Sequence, residues 1–212
     1  MEQQIEMEFR KTNEDDNLEE IAELLYLTDQ YIYPYWFGSL ENCKRELPAL
    51  LLEDKFFFNI NNLFIMKDVS NNKIIGVVCV VDKNVDLSYD YSKLEKANER
   101  YRFTVNTYIK ALIEEVKNAD FAYISNVCVH PGYRGKHIGS IMVRQVIEVY
   151  RRKCFKEMAL DVLADNSGAI KLYNNLGFKK SSDVFEGFND PMLNKPAVFS
   201  MKVKLNKDKD GL

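Results

Sequence analysis

Asn126-Val127-Cys128-Val129-His130-Pro131-Gly132-Tyr133-Arg134-Gly135-Lys136-His137-Ile138-Gly139-Ser140 decides how this chain is read. It runs as a strand, a tight loop and the start of a helix. Successive backbone N–H groups in such a loop point into one concavity. The helix N-terminus adds about half a positive charge. Together they favour a phosphate group without any long basic side chain. Gly135 and Gly139 let a backbone approach a ligand closely, because no Cβ intervenes. A plain Gly-rich surface turn is the other reading. Two nucleotide patterns fail here. The Walker loop needs Gly-Lys followed at once by Ser or Thr, whereas Lys136 precedes His137, and Gly-x-Gly-x-x-Gly is absent.

Working outward, Phe121 to Val129 reads as the strand that feeds this loop, and Ile138 to Arg152 as an amphipathic helix with Met142, Val146 and Val149 on one side. Met158–Leu163 is a strand, Ser167–Leu176 a helix, Phe178–Val184 a strand and Ala197–Leu205 a final strand. Before the loop, Ile5–Phe9 alternates as a half-buried strand. Asp15-Asp16-Asn17 caps a helix with Leu18, Ile21, Ala22 and Leu25 on its buried stripe. Tyr31 to Gly38 is an aromatic stretch broken by Pro34 and Gly38, and Ser39 caps a second helix to about Leu52. Leu63–Met66 and Lys73–Val81 read as two strands, with Asn71-Asn72 as their hairpin turn. Ser92 to about Asn118 repeats at helical spacing through Tyr101, Val105, Tyr108, Leu112 and Val116, with Ile109 and Ile113 widening the stripe. The order β-α-α-β-β-α-β-α-β-α-β-β predicts an α/β (α+β) fold: a mixed central sheet of seven strands with helices on both faces. One domain over 1–205 is expected, with 83–120 as a helical insertion between the third and fourth strands. Residues 206–212 are expected to be a flexible tail.

Composition narrows the function. The chain has 212 residues and a net charge of −3, without the basic excess that nucleic-acid binding favours. No apolar run is long enough for a bilayer. The first residues carry no basic region leading into an apolar stretch, so the cytoplasm is the expected compartment. The four cysteines, Cys43, Cys79, Cys128 and Cys154, form no Cys-x-x-Cys pair, and there are two histidines, so no metal is expected. Three of the cysteines sit in apolar surroundings and read as small core residues.

Arg134-Gly135-Lys136-His137-Ile138-Gly139, after Val127-Cys128-Val129-His130-Pro131, resembles the acyl-CoA loop of the GNAT acetyltransferase superfamily, usually Gln/Arg-x-x-Gly-x-Gly/Ala. A second signature of that family follows in order: Leu160-Asp161-Val162, Asn166, Ala169, Leu172-Tyr173 and Gly177-Phe178. The chain departs from the loop at one place, where His137 stands for the first glycine. If that position needs φ > 0, histidine carries strain, though it enters the left-handed region more readily than most residues.

The resemblance implies an acyl-CoA-dependent N-acyltransferase that moves acetyl from acetyl-CoA to a primary amine of a small molecule or peptide by direct attack. It implies a pyrophosphate held by main-chain N–H groups at Arg134, Gly135, Lys136, His137, Ile138, Gly139 and Ser140. A pantetheine arm would pair with the strand at Val127, Cys128 and Val129, splayed from its neighbour near Asn166 and bulged near Asn126 to Cys128. The N–H near Val127 would hold the oxyanion. Tyr173 would protonate the leaving thiolate, or it packs with Ala169, Ile170 and Leu176. Asn166 would bond the pantetheine, or it caps the helix at Ser167. Family members often carry a carboxylate where Ser125 and Asn126 stand, and neither takes a proton at neutral pH. The base is then a water chain or a carboxylate from the first two helices; His130 has a suitable titration range but sits in a His-Pro turn. The acceptor side falls near Tyr31, Tyr33, Tyr35, Trp36 and Phe37, most of which read as core. The 92–118 helix is a wall on that side or a homodimer contact. A GNAT-like sensor of acyl-CoA without turnover is the alternative to an enzyme.

Overall fold

A computed structural model describes residues 5–54, 56–84, 98–104, 109, 112, 114–116, 121–183 and 197–205. Among the described residues, seven strands form one mixed sheet. In chain order they are β1 (Met7–Lys11), β2 (Leu63–Asp68), β3 (Lys73–Val81), β4 (Phe121–Val129), β5 (Glu157–Leu163), β6 (Lys179–Lys180) and β7 (Val198–Lys204). Their spatial order is β1-β2-β3-β4-β5-β7-β6. Every neighbouring pair is antiparallel except β4 and β5, which run parallel because the connecting helix crosses over.

Among the described residues the helices with defined bounds are α1 (Leu18–Tyr26), α2 (Ile32–Phe37), α3 (Leu40–Leu51), α4 (Glu99–Thr104), α5 (Ile138–Arg152) and α6 (Ser167–Asn175). Asn17 and Ser39 cap α1 and α3 as expected, accepting from Glu20 and Asn42 N–H. α2 is an addition to the expected order. Pro34 does not break it, because Pro34 is its third residue, and a first-turn N–H has no intrahelical acceptor anyway. Gly38 at φ 75° ends it. Of the expected helix over 92–118, residues 99–104 form α4, and the described residues 109, 112 and 114–116 are helical too; Val105, Tyr108 and Ile113 lie outside the described residues. The strand expected over 178–184 pairs with β7 only at Lys179 and Lys180, where it forms an exposed edge. Val184 and the tail 206–212 also lie outside the described residues.

Two cores flank the sheet. One joins α1, α2 and α3 to Ile74, Val77, Cys79 and Val81 of β3. The other joins α5 to Ile75, Val78 and Val80. Burial on both faces explains why β3 reads as a continuous apolar run. Gly76 is fixed by the second core: a Cβ there would sit 2.5 Å from Met142 Sδ. β4 behaves differently along its length. Phe121 and Tyr123 face the first core, and Ala122 and Ile124 the second. Cys79 then pairs with Asn126 and Val80 with Ile124, so Ser125 is an extra residue. This bulge flips the phase, placing Cys128 in the first core and Val127 and Val129 against the second.

Burial sets the acid strength of several groups. It pushes the thiols of Cys43 and Cys128 up to about 12 and about 11, and that of Cys79 higher still. These three are core residues, as their sequence surroundings suggest; Cys154 is exposed. Burial also raises the Tyr33, Tyr150 and Tyr173 phenols. The unfolded chain loses these protons first, from about 8.5 for thiols and about 10 for phenols. Above that range it therefore binds fewer protons than the fold, and stability falls as pH rises. Urea titrations from pH 7 to 11 should show the unfolding free energy dropping above about pH 9. A flat profile over that range would contradict the burial of these groups.

Candidate active site

β4 and β5 pair over four residues only, from Phe121 opposite Glu157 to Ile124 opposite Leu160. Both strands continue, β4 to Val129 and β5 to Leu163. β4 stays bonded to β3 as far as Val129, and β5 to β7 as far as Leu163 opposite Val198. Each strand is held by its outer neighbour while the inner edges part. The expected splay is present; the bulge, expected near Asn126 to Cys128, lies instead one residue earlier at Ser125, just where pairing with β5 stops.

The loop after β4 turns through a 3-10 segment at Pro131–Tyr133 and enters α5. Arg134 Nε donates to Val129 O at 3.0 Å, folding the loop back on the strand end. Gly135 has φ 80° and His137 φ 60°, so the position where family members place glycine does need the left-handed region. No side chain caps α5 at His137, unlike Asn17, Ser39 and Asn166 at their helices. Ile138 is buried; Arg134, Gly135, Lys136 and His137 are exposed. A Cβ on Gly139 would lie 3.2 Å from Leu172 Cδ1, so glycine here also lets α5 approach α6.

A cavity of about 200 Å³ opens where the strands part. Val127 lines it from β4, with Asp161, Val162 and Leu163 from β5. Asn166, Ala169 and Tyr173 close it from α6. Thr28, Asp29, Tyr33 and Trp36 line it from the α1–α2 region, beside Phe57 and Phe58. Thr104, Ile109 and Leu112 complete it from the segment between β3 and β4. Of the two uses expected for that segment, a wall is the one these residues serve. Trp36 Nε1 donates to Thr104 Oγ1 at 3.0 Å, and the Tyr101 ring meets Trp36 edge-on with centroids 4.8 Å apart. Tyr33, Trp36 and Phe37 are core residues, and the first two also face the cavity.

Tyr173 is nearly buried, and loss of hydration pushes its phenol up to about 12. It packs edge-on against Phe178, and among the described residues its hydroxyl meets no hydrogen-bond partner. Asn166 is the cap of α6, accepting from Ala169 N–H at 3.0 Å, while lining the cavity mouth. Cys128 sits in the core beneath α1, so only its main chain is available to the split. Ser125 donates to Asn126 Oδ1 at 2.8 Å, and Asn126 Nδ2 donates to Thr28 Oγ1 at 2.8 Å and to the Tyr33 hydroxyl at 3.3 Å. His130 is tied into its turn, accepting from Gly132 N–H, and is outside the cavity lining.

Sequence reasoning assigned no role to Asp161, although it stands in the quoted Leu160-Asp161-Val162. Its signal was a lone carboxylate in a buried apolar strand. Tyr123 OH donates to Asp161 Oδ2 at 3.1 Å and Ser200 Oγ to Oδ1 at 2.6 Å. Asp29 was missed as well. Its Oδ1 accepts from Tyr31 and Ile32 N–H and so caps α2. Among the described residues, no three His, Cys, Asp or Glu side chains are grouped to hold a metal ion. No helix among them is long and apolar enough to cross a membrane.

A mixed sheet whose one parallel pair opens beside an uncapped helix start defines an α/β fold shared with acetyltransferases. The chain belongs to the acetyltransferase (GNAT) family, whose model matches residues 25–178. It is 31% identical over 72 residues to an uncharacterised N-acetyltransferase of Methanocaldococcus jannaschii, covering 34% of this chain and 32% of that protein. The chain spans less than half the length of the curated relatives it matches. Among solved structures it is similar in fold to an N-acetyltransferase from Staphylococcus aureus Mu50, with TM-score 0.66, 18% identity and coverage of 92% of this chain and 100% of that one. It is likewise similar to a chain of the NatC complex bound to Gag peptide and CoA, with TM-score 0.59, 18% identity and coverage of 95% and 100%.

The left-handed start of α5 is testable by substitution. His137→Val should lower the urea-derived unfolding free energy by about 1–2 kcal/mol, because a β-branched residue tolerates φ > 0 poorly. His137→Gly should leave it unchanged or higher, since relief of strain offsets the added unfolded-state freedom. Equal losses in the two variants would mean the loop does not adopt this conformation.

Proposed function

We propose that this protein transfers an acetyl group from acetyl-CoA to a primary amine by direct attack on the thioester. The observation that carries the reading is the early parting of β4 and β5 beside the uncapped N-terminus of α5. The free inner edge of β4 from Ser125 to Val129 offers main-chain donors and acceptors to an extended amide-bearing arm. The loop from Arg134 to Ser140 has Gly135 and His137 both left-handed, and such turns can aim successive N–H groups at one anion. The coenzyme A seen in the NatC neighbour is that protein's ligand; its presence on a similar fold supports the same ligand here.

In this reading the diphosphate rests on the main chain of residues 134–140 and the pantetheine lies along Val127, Cys128 and Val129. The thioester then points into the cavity. The main-chain N–H at Val127 stabilises the developing oxyanion. Tyr173 faces the leaving sulfur. A phenol near 12 stays protonated throughout the neutral range. It is a weaker acid than a free thiol, near 8.5, so its hydroxyl assists chiefly as a hydrogen-bond donor while the C–S bond breaks. The amide of Asn166, beyond the oxygen used in capping, supplies a further polar contact at the mouth. Binding without turnover is the second reading, favoured by Ser125 and Asn126 standing where a base is common.

Calorimetry with CoA and acetyl-CoA, followed by thiol release across a panel of primary amines, separates the two. Acetyl transfer predicts both binding and release; binding with no release across the panel would leave the sensor. Tyr173→Phe, which removes a hydrogen bond to the forming thiolate, should lower kcat by about 10- to 100-fold and change the acetyl-CoA Kd by less than about twofold. Unchanged kcat would remove Tyr173 from the chemistry.

A further inference from the structure

The acceptor half of the cavity carries information about what enters it. Asp29 and Asp161 are the charged side chains among the described residues that line it. Both are acidic, so a carboxylate or phosphate on the acceptor would meet like charge. Their situations differ. Asp29 lies at the N-terminal end of α2, accepting two backbone N–H groups on one oxygen, and its role is local capping. Asp161 is the first residue of β5 beyond the last paired position, Leu160. It is half-buried and points into the split. One hydroxyl reaches each oxygen, from Tyr123 across the foot of the split and from Ser200 on β7. These bonds fix the carboxylate and leave lone pairs on both oxygens for a further donor. Facing it are uncharged walls: Tyr33, Trp36, Phe57 and Phe58, with Ile109 and Leu112 from the segment between β3 and β4.

We propose that Asp161 receives the acceptor as a single primary ammonium carried on an apolar, ring-bearing body, and takes its proton. The inference rests on the acetyl-transfer reading above and adds to it the base and the acceptor class. An alkylamine is almost wholly ammonium at neutral pH and has no lone pair for attack. Asp161 removes one proton from R–NH3⁺, giving R–NH2 and a protonated carboxyl that passes the proton to water. The nitrogen lone pair forms the C–N bond, and the C–S bond breaks as its electron pair leaves on sulfur. The second N–H proton lost from nitrogen balances the one gained by the thiolate. The products are the amide, free CoA thiol and one proton. Ser125 and Asn126 cannot do this work, because they are spent on each other, Thr28 and Tyr33. The second carboxylate, Asp29, has its Oδ1 taken by two N–H groups at the start of α2, and the remaining walls are uncharged, so one ammonium is the preferred count.

The test uses full-length protein with acetyl-CoA and 2-phenylethylamine, and spermidine as the polycationic comparison. Wild-type protein should acetylate 2-phenylethylamine with the higher kcat/KM, which falls on an acid limb. Asp161→Asn keeps the shape and should lower kcat by at least about 100-fold and abolish that limb. Its acetyl-CoA affinity should remain within about twofold. Asp161→Glu, which retains a proton acceptor, should keep the limb and recover part of the rate. Asn turning over as fast as wild type overturns the role of Asp161. So does an Asn variant slowed with its acid limb intact, which would mark a merely structural tie between strands. Protein that binds acetyl-CoA yet prefers spermidine, or acetylates neither amine, overturns the acceptor class. Failure of wild-type protein to bind acetyl-CoA at all would instead overturn the acetyl-transfer reading.

Discussion

Four residue pairs hold β4 to β5, and the rest of the site follows from where those pairs end. Two parallel strands in the middle of a sheet would ordinarily zip along their shared length. Here each remains bonded on its outer flank, to β3 and to β7, so neither is free to swing across the gap. The inner edge of β4 keeps main-chain groups that must find a partner, and an unsatisfied buried N–H or C=O costs about as much as a lost hydrogen bond. An extended ligand with amides of its own satisfies that edge as water does, and with fixed geometry. The bulge at Ser125 adds to the divergence, since the extra residue increases local twist where pairing with β5 stops.

Most of the architecture was legible because it rests on patterns that read locally. β3 is apolar throughout because both its faces are covered, and the capping residues Asn17 and Ser39 start their helices where they stand. The loop at 134–139 was legible from glycine spacing, and the strain expected at His137 is real, with φ 60°. Other features depend on partners distant in sequence. Alternation in β4 cannot reveal a bulge, because Ser125 and Asn126 are both polar and either phase fits them. Only pairing with Cys79 and Val80 fixes it. Asn166 left two roles open, and the structure supplies the cap while leaving its amide at the cavity. Asp161 was hidden for the same reason. A carboxylate between Leu160 and Val162 reads as an edge position until Tyr123 and Ser200 are seen to hold it inward.

The aromatic stretch shows how core and site share residues. Tyr33 is fully buried, stacks with Phe37 and accepts a hydrogen bond from Asn126. Trp36 meets Tyr33, Phe58 and Tyr101 by ring contact while its indole N–H holds Thr104. Asn98 Nδ2 adds a 2.6 Å bond to Trp36 O. These ties join α2 to the segment between β3 and β4. A change in ring packing therefore moves the cavity wall, and stability and acceptor fit are coupled through the same side chains.

Electrostatics separates the two ends of the site. At the end proposed for the coenzyme, the start of α5 carries no side-chain cap, and a helix start of this kind suits anions. At the other end Asp161 faces aromatic and aliphatic walls, which suit a cation with an apolar body. Asn126 lies between them with its side-chain groups already engaged, so it separates the ends without adding charge to either. On the proposed reading, a negative ligand and a positive one would be drawn to opposite sides of one opening in the sheet. In the proposed reaction an amine could lie beside a thioester only because β4 and β5 part between them. Closing the split by a few more backbone pairs would leave both ends intact and remove the path between them, which is why strand divergence rather than any one side chain sets what this fold can do.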